Sequence, residues 1–153
     1  MSCFLGIDFG LKFTGLSIYR ALQDPFPLGL KRLPTKNKDF LQALEKILRE
    51  ENVNYIVLGI PHYTDGKPNA MTKRILAFKT ELICFINELN TPLKCFKEIY
   101  EQDETLTTFE AESRMKESPL YHYKIDINKI DVLSAQIILE DFLKNHPQSP
   151  LKR

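Results

Sequence analysis

The run Tyr55-Ile56-Val57-Leu58-Gly59-Ile60, closed by Pro61, limits the fold more than any other stretch of this chain. It shows no polar alternation, so neither face of a strand built from it can meet water. Such a strand belongs inside a parallel sheet with helices packed on both sides. The flanking segments agree. Residues 3–9 and Phe13 to Tyr19 read as strands joined across Gly10-Leu11-Lys12. Phe26 to Leu33 reads as a third strand, and Pro25, Pro27 and Pro34 put it at an edge, where a missing N–H costs no ladder bond. Asn37 is a candidate N-cap for a helix carrying Phe40, Leu41, Leu44, Ile47 and Leu48. Asp65-Gly66 marks a turn. Asn69 then opens a helix through about Asn90, with Ile75, Leu76, Phe78, Leu82, Ile83 and Ile86 facing inward. Leu93 to Tyr100 reads as the last strand. Thr107 and Glu110, at capping-box spacing, start a helix to about Lys116. Beyond Ser118-Pro119, Asp126 or Asn128 opens a final helix that ends before Pro147. This order predicts an α/β fold: a five-stranded mixed sheet, antiparallel at first and then parallel, with helices on both faces.

The 153 residues are enough for one domain with its own core, expected over 1–146 with a short tail at 147–153. No apolar run reaches the roughly 18 residues of a membrane span. No basic segment followed by a long apolar one opens the chain, so a cytoplasmic protein without membrane partners is expected. Cys3, Cys84 and Cys95 are odd in number, lack CxxC spacing and each lie in an apolar run. They read as buried free thiols in a reducing compartment. The three histidines are scattered, which argues against zinc. A formal net charge of +1 means that any nucleic-acid partner must be held by a local patch rather than by bulk charge.

Three acids carry the functional argument. In Phe4-Leu5-Gly6-Ile7-Asp8-Phe9-Gly10, strand alternation sets Leu5, Ile7 and Phe9 on one face and Gly6, Asp8 and Gly10 on the other. The glycines clear the acid's face for a ligand or a second backbone. A carboxylate so placed needs compensation, and a bound cation supplies it; a turn cap at the strand end is the plainer role. Glu104 follows the last strand, at the strand end where functional groups of parallel α/β units gather. Asp131 begins a helix face shared with Ser134, Ala135, Ile138 and Phe142, whose small residues let the helix approach the sheet. Singly, Glu104 and Asp131 read as ordinary helix-terminal acids. Together with Asp8 they form an oxygen ligand set of the kind magnesium prefers, and paired ions of that kind hydrolyse phosphodiesters. Lys12, Arg74 and Lys129 are candidate phosphate contacts, and each serves equally as a solvated surface charge. Tyr121-His122-Tyr123 either stacks on bases or packs over the core edge.

Asp8-Phe9-Gly10-Leu11-Lys12-Phe13-Thr14-Gly15 resembles the first motif of the YqgF/RuvX family, RuvC-like nucleases of the RNase H fold. The similarity continues in family order through Val57 to Pro61 with Asp65-Gly66, Asp103 to Ala111, Ile130 to Ala135 and Ile137 to Glu140. The resemblance implies an RNase H-like domain and a phosphodiester hydrolase using Mg2+ or Mn2+. It implies Asp8, Glu104 and Asp131 as catalytic and metal-binding acids. The implied partner is nucleic acid, either the end of pre-16S ribosomal RNA or branched DNA, with monomer and homodimer both open. The chain departs from the family pattern at four places. Phe13 stands where a basic or polar residue is usual, and Thr105 where an arginine is expected. His62-Tyr63 replaces the usual asparagine, and Ser134 the second acid of related resolvases. Two other readings follow: a noncatalytic nucleic-acid-binding relative, and an actin-like phosphate-binding ATPase fragment, since Asp-x-Gly after an apolar strand also opens such phosphate loops.

Overall fold

The computed structural model describes residues 2–61, 69–104 and 107–146. Strands β1 (Cys3–Asp8), β2 (Phe13–Arg20), β3 (Leu28–Pro34), β4 (Tyr55–Ile60) and β5 (Glu98–Asp103) form one sheet in the order β3-β2-β1-β4-β5. β2 runs antiparallel to β1 and β3, whereas β4 is parallel to β1 and β5. The mixed sheet expected from the strand order is present, and proline-flanked β3 lies at its edge.

β4 shows why its sequence lacks alternation. Ile56, Leu58 and Ile60 pack with Leu5, Ile7, Leu16 and Ile18 beneath α1 (Phe40–Glu50) and α2 (Ala70–Asn87). Val57 points the other way, into Phe4, Tyr19 and the Ile138, Leu139 and Phe142 side chains of α4 (Ile130–Lys144). Fully burying one such aliphatic side chain stabilises by about 1.5–3 kcal/mol, so β4 anchors both layers. α3 (Thr107–Lys116) packs on the outer side of α4 through Ala111 and Met115.

α4 lies directly on the sheet. Ser134 and Ala135 are buried, and the Ser17 hydroxyl donates to the Ala135 carbonyl at 2.7 Å. A methyl group on Gly15 would overlap the Asp131 carbonyl, so only glycine permits this approach. The cleared glycine face of β1 thus receives a second backbone as well as an acid.

Several boundaries differ from the sequence reading, each for a local reason. β1 stops at Asp8, and β3 starts at Leu28, leaving Phe26 exposed. β5 starts at Glu98, the partner of Tyr55; Leu93 and Phe96 instead pack against the core from outside the sheet. α2 ends at Asn87 and buries Ile75, Phe78 and Leu82, while Leu76 and Ile83 are exposed on its outer flank. Asn69 does cap α2, accepting from the Thr72 amide at 2.9 Å. Asn37 does not cap α1; it accepts from the Asp39 amide one turn early. Asp126 likewise accepts from the Asn128 amide, and α4 begins only after Lys129. Glu110 pairs with Arg114 rather than reaching back to Thr107. Of the cysteines only Cys3 is buried; Cys84 is exposed on α2 and Cys95 half-buried. The Asp65-Gly66 turn, His62-Tyr63, Thr105 and the 147–153 tail lie outside the described residues. No described helix is long and apolar enough to cross a membrane.

Candidate active site

The site is assembled by register. Asp8 pairs with Gly15, and Gly15 pairs in turn with Arg32. On the other side of β1, Ile7 pairs with Leu58, which brings the next residue, Gly59, level with Asp8. The row Gly59, Asp8, Gly15, Arg32 crosses four strands on the face that carries α4. The space over both glycines is filled from elsewhere in the chain, over Gly59 by the Ile138 side chain and the Glu104 carboxyl. A Cβ on Gly59 would stand 3.1 Å from the Glu104 carboxyl carbon, and the backbone of Asp131 occupies the space over Gly15.

Glu104 is fixed at both ends of its peptide. Its amide donates to the Ile60 carbonyl at 3.1 Å, prolonging the pairing of β5 with β4. Its carbonyl accepts from the Thr107 amide at 3.0 Å and the Thr107 hydroxyl at 2.9 Å, where α3 begins. Thr107, read from sequence as half of a capping box, holds Glu104 in place.

The Glu104 and Asp8 carboxyl groups hydrogen-bond to each other. Burial pushes Glu104 up to about 9, reinforced by the charge of Asp8 and the bond to it. Burial pushes Asp8 up to about 6, opposed by that same hydrogen bond. Two buried carboxyls facing each other both shift upward, so the pair keeps a proton well above the usual carboxylate range. Among the described residues no lysine or arginine ion-pairs with either acid. Asp131 adds a charge that raises Asp8 further. Its own carboxyl is raised by burial and drawn back down by Arg32.

The structure thus joins two of the three expected acids and sets the third beside them. Among the described residues no three Asp, Glu, His or Cys side chains close into a cluster around one ion-sized space. Lys12 is exposed just past β1, its Nζ 5.7 Å from the Phe13 ring. Lys129 stands at the start of α4, 3.9 Å from Asp126 and 5.9 Å from the Tyr121 ring. Arg74 lies over Phe9 at 5.0 Å and 3.6 Å from Glu81. Phe9 belongs to the core beneath α1 and α2, so Arg74 is on the opposite layer from the acids. Tyr121 packs against the α3–α4 core, whereas Tyr123 is exposed.

Arg32 was not found from sequence. Nothing in Leu30-Lys31-Arg32-Leu33 distinguishes it. Its alignment with Asp8 depends on a register that shifts between Leu16 and Ser17, which no local pattern reveals.

The RuvX family profile, described as Holliday junction resolvase, matches residues 2–145. The chain belongs to the RuvX family. RuvX relatives named "Putative pre-16S rRNA nuclease" include one from Maridesulfovibrio salexigens, 34% identical over 91% of this chain and 96% of its own. Another, from Sulfurimonas denitrificans, is 34% identical over 92% of this chain and 96% of its own. Membership in RuvX places the protein among nucleases, which hydrolyse phosphodiester bonds. The fold is that of RuvC-like, RNase H-like resolvases. T. thermophilus RuvC in complex with Holliday junction substrate superposes with a TM-score of 0.55 at 10% identity, over 97% of this chain and 98% of that one. The yeast mitochondrial Holliday junction resolvase Ydc2 gives 0.53 at 16% identity, over 92% and 77%.

Proposed function

We propose that this protein is a cytoplasmic, divalent-metal-dependent nuclease that trims the end of pre-16S ribosomal RNA, with Asp8, Glu104 and Asp131 as its acids. The observation that carries the reading is the hydrogen-bonded carboxyl pair of Asp8 and Glu104. One member ends β1 and the other follows the end of β5, and both stand in family-matched motifs. The pair suits magnesium or manganese: its donors are oxygens, and among the described residues no basic side chain ion-pairs with them. Such an ion supplies Lewis acidity to a phosphate oxygen and lowers the pKa of a bound water. Asp8 and Glu104 would hold it through their carboxylate oxygens, which bind metal in the deprotonated form. Asp131 adds negative charge to Asp8 from the helix side without closing the pair into a three-acid cluster among the described residues. Lys12 and Lys129 contact the phosphates of the strand being cut.

The test is cleavage of an RNA carrying the pre-16S end, with Mg2+ or Mn2+ and with neither. Asp8→Asn is expected to lower the rate at least about a hundredfold, in the range of losing a group required for chemistry. Full activity of Asp8→Asn, or cleavage that ignores chelator, overturns the assignment. The family description supports a second substrate, and a four-way DNA junction in the same assay decides between RNA and branched DNA.

A further inference from the structure

Arg32 has no role in the reading above, yet it ends the strand row that begins at Gly59 and contains Asp8. Its guanidinium carbon lies 3.7 Å from the Phe13 ring centroid, a close stacking contact. One amino group donates to the Asn128 side-chain oxygen at 3.2 Å. That is its one hydrogen bond to the described residues, so most of its five N–H donors stay open. The side chain is half-buried and held from two directions, so little rotamer freedom remains to be lost on binding. Lys12 approaches the same ring at 5.7 Å. Phe13 is thus a platform with two cations around it, at the end of β1 where Asp8 lies.

We propose that Arg32, stacked on Phe13, binds a backbone phosphate of the substrate strand and guides that strand across the acid pair. The assignment rests on the nuclease reading. A planar fork of donors matches phosphate oxygens in two-point contact, whereas a lysine is a point charge. The acids are negative and the substrate is a polyanion, so a cation fixed beside them offsets the repulsion at that phosphate. The aromatic residue at position 13, a departure from the family pattern, gains a use: it holds an arginine from the neighbouring hairpin where its own side chain carries no charge.

The experiment measures binding of the full chain, in the cleavage-silent Asp8→Asn background without divalent ions, to an RNA with the pre-16S end and to a four-way DNA junction. Arg32→Gln is expected to weaken binding about tenfold, the usual scale for a charged hydrogen bond. It should also reduce the slope of log affinity against log salt by about 0.7–0.9, one phosphate contact. Arg32→Lys keeps the salt slope and recovers part of the affinity. Asn128→Ala leaves the slope unchanged, because it removes the tether and not the charge. In the otherwise wild-type chain, Arg32→Gln raises KM far more than it lowers kcat. An unchanged salt slope in Arg32→Gln overturns the assignment while leaving the nuclease reading intact. An Asn128→Ala result equal to that of Arg32→Gln reduces Arg32 to a structural tie and also overturns it. If the parent protein binds neither nucleic acid, both readings fall together.

Discussion

At the residue scale the Asp8–Glu104 pair is a cost to the fold. Both carboxyls titrate above their free values, so the folded chain keeps protons that the unfolded chain has already released. Stability contributed by these protons is complete below the unfolded pKa values of about 4 and declines as pH rises through about 6 and about 9. Glu104→Gln removes one titration and the repulsion. It is expected to raise the melting temperature at pH 8 by about 3–6 °C, corresponding to roughly 1–2 kcal/mol, and to flatten the fall between pH 5 and 9. Thermal unfolding across that pH range checks both. The same substitution should abolish cleavage. A gain in stability with a loss of function marks a group retained for chemistry. The Asp8 motif was readable because its glycines and its carboxylate are local. The hydrogen bond to Glu104 was not, since it joins residues 96 positions apart through a strand pairing.

At the element scale, placement of the third acid falls to α4 and the glycines beneath it. Gly15→Ala drives a methyl group into the Asp131 carbonyl and must lift the first turn of α4 from β2. Overpacking of this kind costs about 1–3 kcal/mol. We expect an unfolding free energy lower by that amount in urea, together with a loss of cleavage exceeding the loss of folded protein. The helix face of α4 was legible from its small residues. Its start was not: Asp126 and Asn128 look like caps, but Asp126 closes its own turn and the helix waits for Ile130. Local side-chain bonds compete with helix capping wherever Asx residues cluster.

For the whole molecule, the layers followed from β4 alone, whereas the register of β3 did not. A segment buried on both faces dictates helices above and below, but a bulge in an edge hairpin is set by packing across the sheet. Occupation of the acid pair by a divalent ion would couple binding to folding. Binding of Mn2+ or Mg2+ to the folded chain alone raises stability, by about 2.7 kcal/mol at a hundredfold excess over Kd. Because protons and metal compete for the same oxygens, the increment should grow as pH rises from 6 to 9. Differential scanning fluorimetry with and without the ion reads it directly, and Asp8→Asn should lose it.

The Ser17 hydroxyl meets its carbonyl partner in Ala135 across 118 residues of chain. During translation, an emerging polypeptide that has formed only its first hairpin cannot yet complete this contact or bring Asp131 to Gly15. The full acid set therefore stays unformed until synthesis has passed α4. The order in which the chain is threaded makes α4 the element for which the acid set waits.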